Sequence, residues 1–185
     1  TRVAIGAIQN DGNGSVSGHV RIYEESGGNW TQIGNDIDGE ALGDRSGFSV
    51  SLSSDGTRVA IGAIQNNGNG SISGHVRIYE ESGGNWAQIG SDIDGEAAGD
   101  LSGVSVSLSS NGTRVAIGAY LNDGNGNDSG HVRIYEESMG SWAQIGNDID
   151  GEAASDNSGR SVALSSDGTR LAIGAPNNDD NGANA

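Results

Sequence analysis

Four carboxylates fall within nine residues three times along this chain: Asp36, Asp38, Glu40 and Asp44; Asp92, Asp94, Glu96 and Asp100; Asp148, Asp150, Glu152 and Asp156. A glycine follows the second Asp of each group, so hard oxygen ligands sit on alternate positions around a turn, as in calcium loops. The run is shorter than a full calcium loop of about twelve residues. Asx-turns that satisfy loop amides, or plain solubility, account for the same residues. Calcium at these positions is the metal expectation, and no other cofactor is expected. A second loop, Asn10 to Gly18, also offers Asp and Asn, but Asp11 is replaced by Asn67 in the next copy. An Asn- and Gly-rich link using positive φ explains it without an ion. His19, His75 and His131 occur once per copy in a chain without Cys. A structural role is therefore expected of them, rather than a metal or proton-relay site.

Nucleophilic chemistry has less to build on. An enzyme needs a nucleophile, an oriented base and an oxyanion or metal partner, usually drawn from different elements. Near-copies of one unit repeat the same residues at every station, and neither Gly-x-Ser-x-Gly nor His-Glu-x-x-His occurs. Paired Asp residues suggest glycoside hydrolysis, yet nothing marks one of them as the acid. The expectation is a protein that is not an enzyme. Asn-x-Ser/Thr acceptors stand at Asn13, Asn29, Asn69, Asn111 and Asn127, some of them by chance in so Asn- and Ser-rich a chain. If a eukaryote secretes the protein, these are its glycosylation sites.

The elements that position these loops follow from repetition. Thr-Arg-Val-Ala-Ile-Gly-Ala starts at Thr1, Thr57 and Thr113, and returns as Thr-Arg-Leu-Ala-Ile-Gly-Ala at Thr169. The units are 1–56, 57–112 and 113–168, with 169–185 a partial fourth; the first two agree at 48 of 56 positions. Within a unit, Phe48–Ser53, Arg58–Ala63, His75–Glu80 and Trp86–Gly90 alternate β-branched or aromatic residues with polar ones and read as strands. Ser54-Asp55-Gly56 closes the first pair and Ser82-Gly83-Gly84-Asn85 the last. The chain is thus all-β, each 56-residue unit a four-stranded antiparallel meander. Such a sheet cannot bury both faces alone and must stack on its copies, as blades of a β-propeller or as an open stack in a filament. On the third strand Val76 and Ile78 point one way and His75, Arg77 and Tyr79 the other. The second set is expected against a neighbouring blade, with an Arg over Trp30, Trp86 or Trp142. Opening and closing inside a repeat, the chain reads as a segment of a longer array, or as one completed by a neighbour.

Composition narrows the partners. Nine Arg, no Lys and 25 acidic residues give a net charge of −16, which repels nucleic acid and anionic membrane. No apolar run is long enough to insert in a bilayer.

These repeats resemble the FG-GAP family, the blades of integrin-α-type propellers and of many bacterial and algal surface proteins. Gly43-Asp44 and Gly99-Asp100 match its acidic element, Ser155-Asp156 keeps only the Asp, and Gly47, Gly103 and Gly159 match its second glycine. The closing triplet is complete at Gly174-Ala175-Pro176; earlier copies read Gly6-Ala7-Ile8, Gly62-Ala63-Ile64 and Gly118-Ala119-Tyr120. The family's Phe is replaced by Ser46, Ser102 and Ser158. The resemblance places calcium in an Asp-rich loop between the first two strands, where this chain has only Ser54-Asp55-Gly56. The functional expectation is an extracellular or cell-surface repeat protein, its blades a scaffold for adhesion or a filament. Its partners would be copies of itself or further repeats of the same chain. A multivalent module binding surface proteins or glycans is the alternative.

Overall fold

The computed structural model describes residues 1–179, which form sixteen strands and no helix. Among the described residues no helix is long and apolar enough to cross a membrane. The first sheet holds β1 (Arg2–Ala7), β2 (His19–Ser26), β3 (Asn29–Gln32) and β4 (Ile37–Asp38). The second holds β5 (Ser46–Leu52), β6 (Arg58–Ala63), β7 (His75–Ser82), β8 (Asn85–Gln88) and β9 (Ile93–Asp94). The third repeats it with β10 (Ser105–Leu108), β11 (Arg114–Ala119), β12 (His131–Ser138), β13 (Ser141–Gln144) and β14 (Ile149–Asp150). Finally β15 (Ser161–Leu164) pairs with β16 (Leu171–Gly174). All strand pairs are antiparallel, in the order β5-β6-β7-β8 and β10-β11-β12-β13. The fold is that of propeller-like blades.

One element was not legible as a strand. β8 leaves β7 at the Tyr79–Gln88 pair, and β9 returns at Val76–Ile93. The outer chain advances 93 − 88 = 5 residues while β7 advances 79 − 76 = 3. This bulge of two carries Asp92 beside β7, a role that periodicity alone does not reveal.

The β5–β6 turn is anchored by one carboxylate. Asp55 Oδ1 accepts the Ser53 hydroxyl at 2.7 Å, the Thr57 amide at 2.9 Å and the Thr57 hydroxyl at 2.8 Å. These bonds favour the charged form and hold the Asp55 pKa down to about 2. The depressed carboxyl contributes stability above its unfolded value, and loses it as pH falls from about 4 towards 2. Asn111 makes the same three contacts one unit later and cannot titrate. Asp55→Asn is therefore expected to flatten part of the loss of melting temperature below pH 4, because it gives up at pH 7 the charge-assisted part of that stability while keeping the three contacts.

The blades have no private cores. Val20, Ile22 and Ile37 of the first sheet pack with Val59, Ile61 and Tyr79 of the second. Ala60, Val76, Ile78 and Ile93 of the second pack with Leu108, Val115, Ile117 and Tyr135 of the third. Strand alternation sends Val76 and Ile78 towards one neighbour and Tyr79 towards the other. Burial that needs two sheets explains why the unit repeats.

Close approach at the seam depends on glycine. A Cβ on Gly62 of β6 would lie 2.1 Å from the Gly103 carbonyl oxygen of the next blade, and one on Gly118 2.0 Å from that of Gly159. Ser49 Oγ donates to the Gly103 carbonyl at 2.6 Å, and Ser105 Oγ to that of Gly159 at 2.8 Å. The Ser51 and Ser107 hydroxyls accept the Leu108 and Leu164 amides at 3.0 Å. The motif glycines are thus places where two backbones touch.

Candidate functional site at the blade junctions

The links between β6 and β7 and between β9 and β10 lie at the same edge of the sheets, because the β5–β6 and β7–β8 turns occupy the opposite edge. The first kind of link satisfies itself. In Asn10 to Gly18, Asn10 Oδ1 accepts the Gly12 amide at 2.8 Å, and Asp11 Oδ1 the Val16 amide at 2.7 Å. The left-handed position falls on Val16, Ile72 and Asp128, with φ of 57°, 58° and 53°. Two of these are β-branched, so the loop stores strain where an Asn or Gly was expected. The parallel bridges Gly18–Ser46, Gly74–Ser102 and Gly130–Ser158 tie this edge to the start of the next sheet.

The four carboxylates of each acidic loop part company. Asp36, Asp92 and Asp148 accept a Gln amide from β3, β8 and β13, at 2.8, 2.7 and 2.6 Å. Asp38, Asp94 and Asp150 stand opposite His19, His75 and His131 in the ladder. Asp44, Asp100 and Asp156 fold back on their own loop, each accepting the amide three residues earlier at 2.9 to 3.0 Å. Asp44 and Asp100 are also buried against Asn66 and Asn122. Glu40 and Glu96 reach across to the following blade, while Glu152 accepts from Asn178.

What converges is a set drawn from two blades, Glu40 with His75 and Asp92, and Glu96 with His131 and Asp148. His75 Nδ1 lies 3.8 Å from Glu40 Oε2 and 3.8 Å from Asp92 Oδ2; His131 Nδ1 lies 3.6 Å from Glu96 Oε2. Burial, with Arg77 and Arg133 nearby, pushes both imidazoles below the usual histidine pKa. Burial and the neighbouring Asp92 push the Glu40 carboxyl up against the pull of Arg77. Such acidic and histidine groups can hold a metal ion. Their lead is a histidine that the sequence assigned to structure, joined by Asp92, Asp148, Glu40 and Glu96 from the acidic loops. The family's calcium position is not built for an ion: Asp55 spends its carboxylate on its own turn.

The arginines differ from expectation. Arg77 stacks on Tyr79 at 5.5 Å and Arg133 on Tyr135 at 5.6 Å, neighbours on their own strands rather than indoles. Their guanidinium groups cross the junction to the Asp38 and Asp94 carbonyls at 2.8 and 2.6 Å. The indoles instead donate to the preceding blade, Trp86 to Ile33 and Trp142 to Ile89, both at 3.0 Å. Both rings pack within the shared cores. In the first sheet Arg21 grips Asp36 through two bonds of 2.8 and 2.7 Å, holding that carboxyl at a pKa of about 2.

The acceptor asparagines are unequal. Asn13 Nδ2 donates to the Gly39 and Glu40 carbonyls at 3.0 and 2.9 Å, and Asn69 does the same to Gly95 and Glu96. A glycan there would replace one of these N–H groups. Asn111 is occupied in its turn, and Asn127 donates to Asp128. Asn29, at the start of β3, is exposed.

The FG-GAP repeat family model matches residues 92–135 and 149–185. None of the curated proteins compared with it matches. Among solved structures it is similar to a protein designated a 6-phosphogluconolactonase from Bacteroides fragilis, at 15% identity and TM-score 0.54 over 91% of this chain and 40% of the other. A protein of the same designation from Bacteroides uniformis gives 12% and 0.58, over 95% and 48%. The periplasmic gluconolactonase of Pseudomonas aeruginosa gives 18% and 0.57, over 92% and 46%. This chain thus spans less than half the length of each. At such identities the likeness establishes the fold. It also overturns the expectation that the chain is not an enzyme, since the propeller-like structures it resembles carry lactonase designations. The physical flaw in that expectation was to treat the copies as equivalent. Tyr120, Asn157 and Arg160 have no like residue in the other units, so the blades are not interchangeable.

Proposed function

We propose that the chain is an extracellular repeat module whose blades serve as scaffold in a cell-surface or filamentous assembly. The observation that carries this reading is the exact translation of one head-to-tail junction. Arg2 reaches Glu81 and Arg58 reaches Glu137, each at 3.4 Å; Trp86 and Trp142 seat on equivalent carbonyls; Ser49 and Ser105 bind equivalent glycines. A heterologous surface propagates until its rotation closes a ring. Parts of both halves of that surface are exposed among the described residues: Trp30 is 52% exposed on one side, and Asp150 and Glu152 are exposed on the other, where β15 and β16 cover the seam at Ser105. The charge of −16 and the FG-GAP repeats fit a surface protein in solution outside the cell. Electron microscopy and light scattering at rising concentration are expected to show end-to-end growth, and Arg21→Glu should suppress it. Dispersed single particles at every concentration would remove this reading.

Ligand recognition is favoured by one observation of its own. Positions that vary between units come together: Arg160 lies over the Tyr120 ring at 4.6 Å, and Asn157 Nδ2 donates to the Tyr120 carbonyl at 3.1 Å. Phe48, equivalent to Arg160, is exposed. A glycan or surface-protein array, read with Tyr120→Ala, tests whether this group selects a partner.

A further inference from the structure

We propose that each complete blade junction binds one divalent cation of the zinc class, held by Glu40, His75 and Asp92 at one junction and by Glu96, His131 and Asp148 at the next, with water completing the shell. The proposal stands apart from the scaffold reading and needs only the single chain. Its first support is an unpaired ligand. His75 and His131 are each 1% exposed, and neither ring nitrogen of either has a hydrogen-bond partner among the described residues. A buried imidazole ordinarily fixes its tautomer through such a bond. Carboxylate oxygens face each Nδ1, those of Glu40 and Asp92 at 3.8 Å from His75 and that of Glu96 at 3.6 Å from His131, too far to accept a hydrogen bond. A tetrahedral cation with bonds near 2.1 Å separates its ligand atoms by about 3.4 Å, so a small contraction around an ion closes the gap.

The second support is orientation. Glu40 Oε1 faces Arg77 Nη1 at 3.5 Å, which leaves Oε2 for the imidazole. Asp92 Oδ1 accepts from Gln88 at 2.7 Å, which leaves Oδ2. The next junction repeats this with Arg133 on Glu96 Oε1 at 3.6 Å and Gln144 on Asp148 Oδ1 at 2.6 Å. Partners that hold one oxygen and aim the other are the usual outer support of a metal site. Two carboxylates against one guanidinium leave the site one charge short, which a cation supplies. One imidazole with two carboxylates suits zinc and its neighbours, whereas calcium prefers an all-oxygen shell. In the first blade Arg21 instead takes both oxygens of Asp36, at 2.8 and 2.7 Å.

Calorimetric titration of the EDTA-treated chain with zinc chloride is expected to give two equivalents per chain, matching the two groups. Glu40→Gln should lower this to one, and Glu40→Gln with Glu96→Gln to none. Glu40 is 41% exposed, so these variants are expected to melt in EDTA near the parent chain; His75→Gln should also lose one equivalent. Absence of zinc uptake, uptake that survives in the double glutamine variant, or equal uptake of calcium would each overturn the proposal.

Discussion

Gly62→Ala is expected to lower stability by roughly 3 kcal/mol through overpacking of the seam. The added carbon would meet the Gly103 carbonyl oxygen at 2.1 Å and the Ser49 hydroxyl at 2.5 Å. Neither can retreat easily, because Ser49 Oγ is bonded to that carbonyl at 2.6 Å and the backbone there belongs to the next sheet. Gly83→Ala separates clash from conformational strain. Its φ is 59° and nothing lies within 4 Å of the added carbon, so only the left-handed penalty of about 1 kcal/mol applies. Thermal melting of the two variants should differ by several degrees, with Gly62→Ala the lower. Equal melting temperatures would mean that the blades do not press together as described.

The seam also shows what the sequence made legible and what it hid. Alternation in Arg58–Ala63 and His75–Glu80, with Asp-Gly and Gly-Gly turns, was enough to place the sheets, because local pattern decides strand and hairpin. The ladder from Arg58–Glu80 to Ala63–His75 follows from it directly. The junction was not legible, because its partners lie 35 to 79 positions apart and no local signal pairs Glu40 with His75 or Trp86 with Ile33. Four acidic residues in nine looked like one cluster. Strand alternation and the bulge before Ile93 send them to four different places. A lone histidine per unit had no partner legible beside it, yet a glutamate reaches it from the blade before. The repeat itself held the clue: a residue that recurs every 56 positions meets loops of the neighbouring copy as readily as its own.

Asp44→Ala is expected to cost about 2 to 3 kcal/mol, although Asp44 makes no salt bridge among the described residues. The side chain is 1% exposed, and its Oδ2 accepts the Ala41 amide at 2.9 Å and the Asn66 amide at 3.1 Å. Asn66 is itself buried at 7% exposure, so truncation strands its side-chain donor away from water. The loss is therefore that of orphaned donors rather than of one average hydrogen bond. Asp44→Asn distinguishes the acceptor from the charge. One amide oxygen can take both donors, so this variant should lose under about 1 kcal/mol, the part due to charge assistance. Asp100, which holds Ala97 and Asn122 in the same way at 3.0 Å, should respond alike. If Asp44→Ala and Asp44→Asn instead fall equally, and calcium restores neither but stabilises the parent chain, the carboxylate acts as a metal ligand and not as the clasp between two loops. A clasp predicts unequal losses and melting temperatures indifferent to calcium.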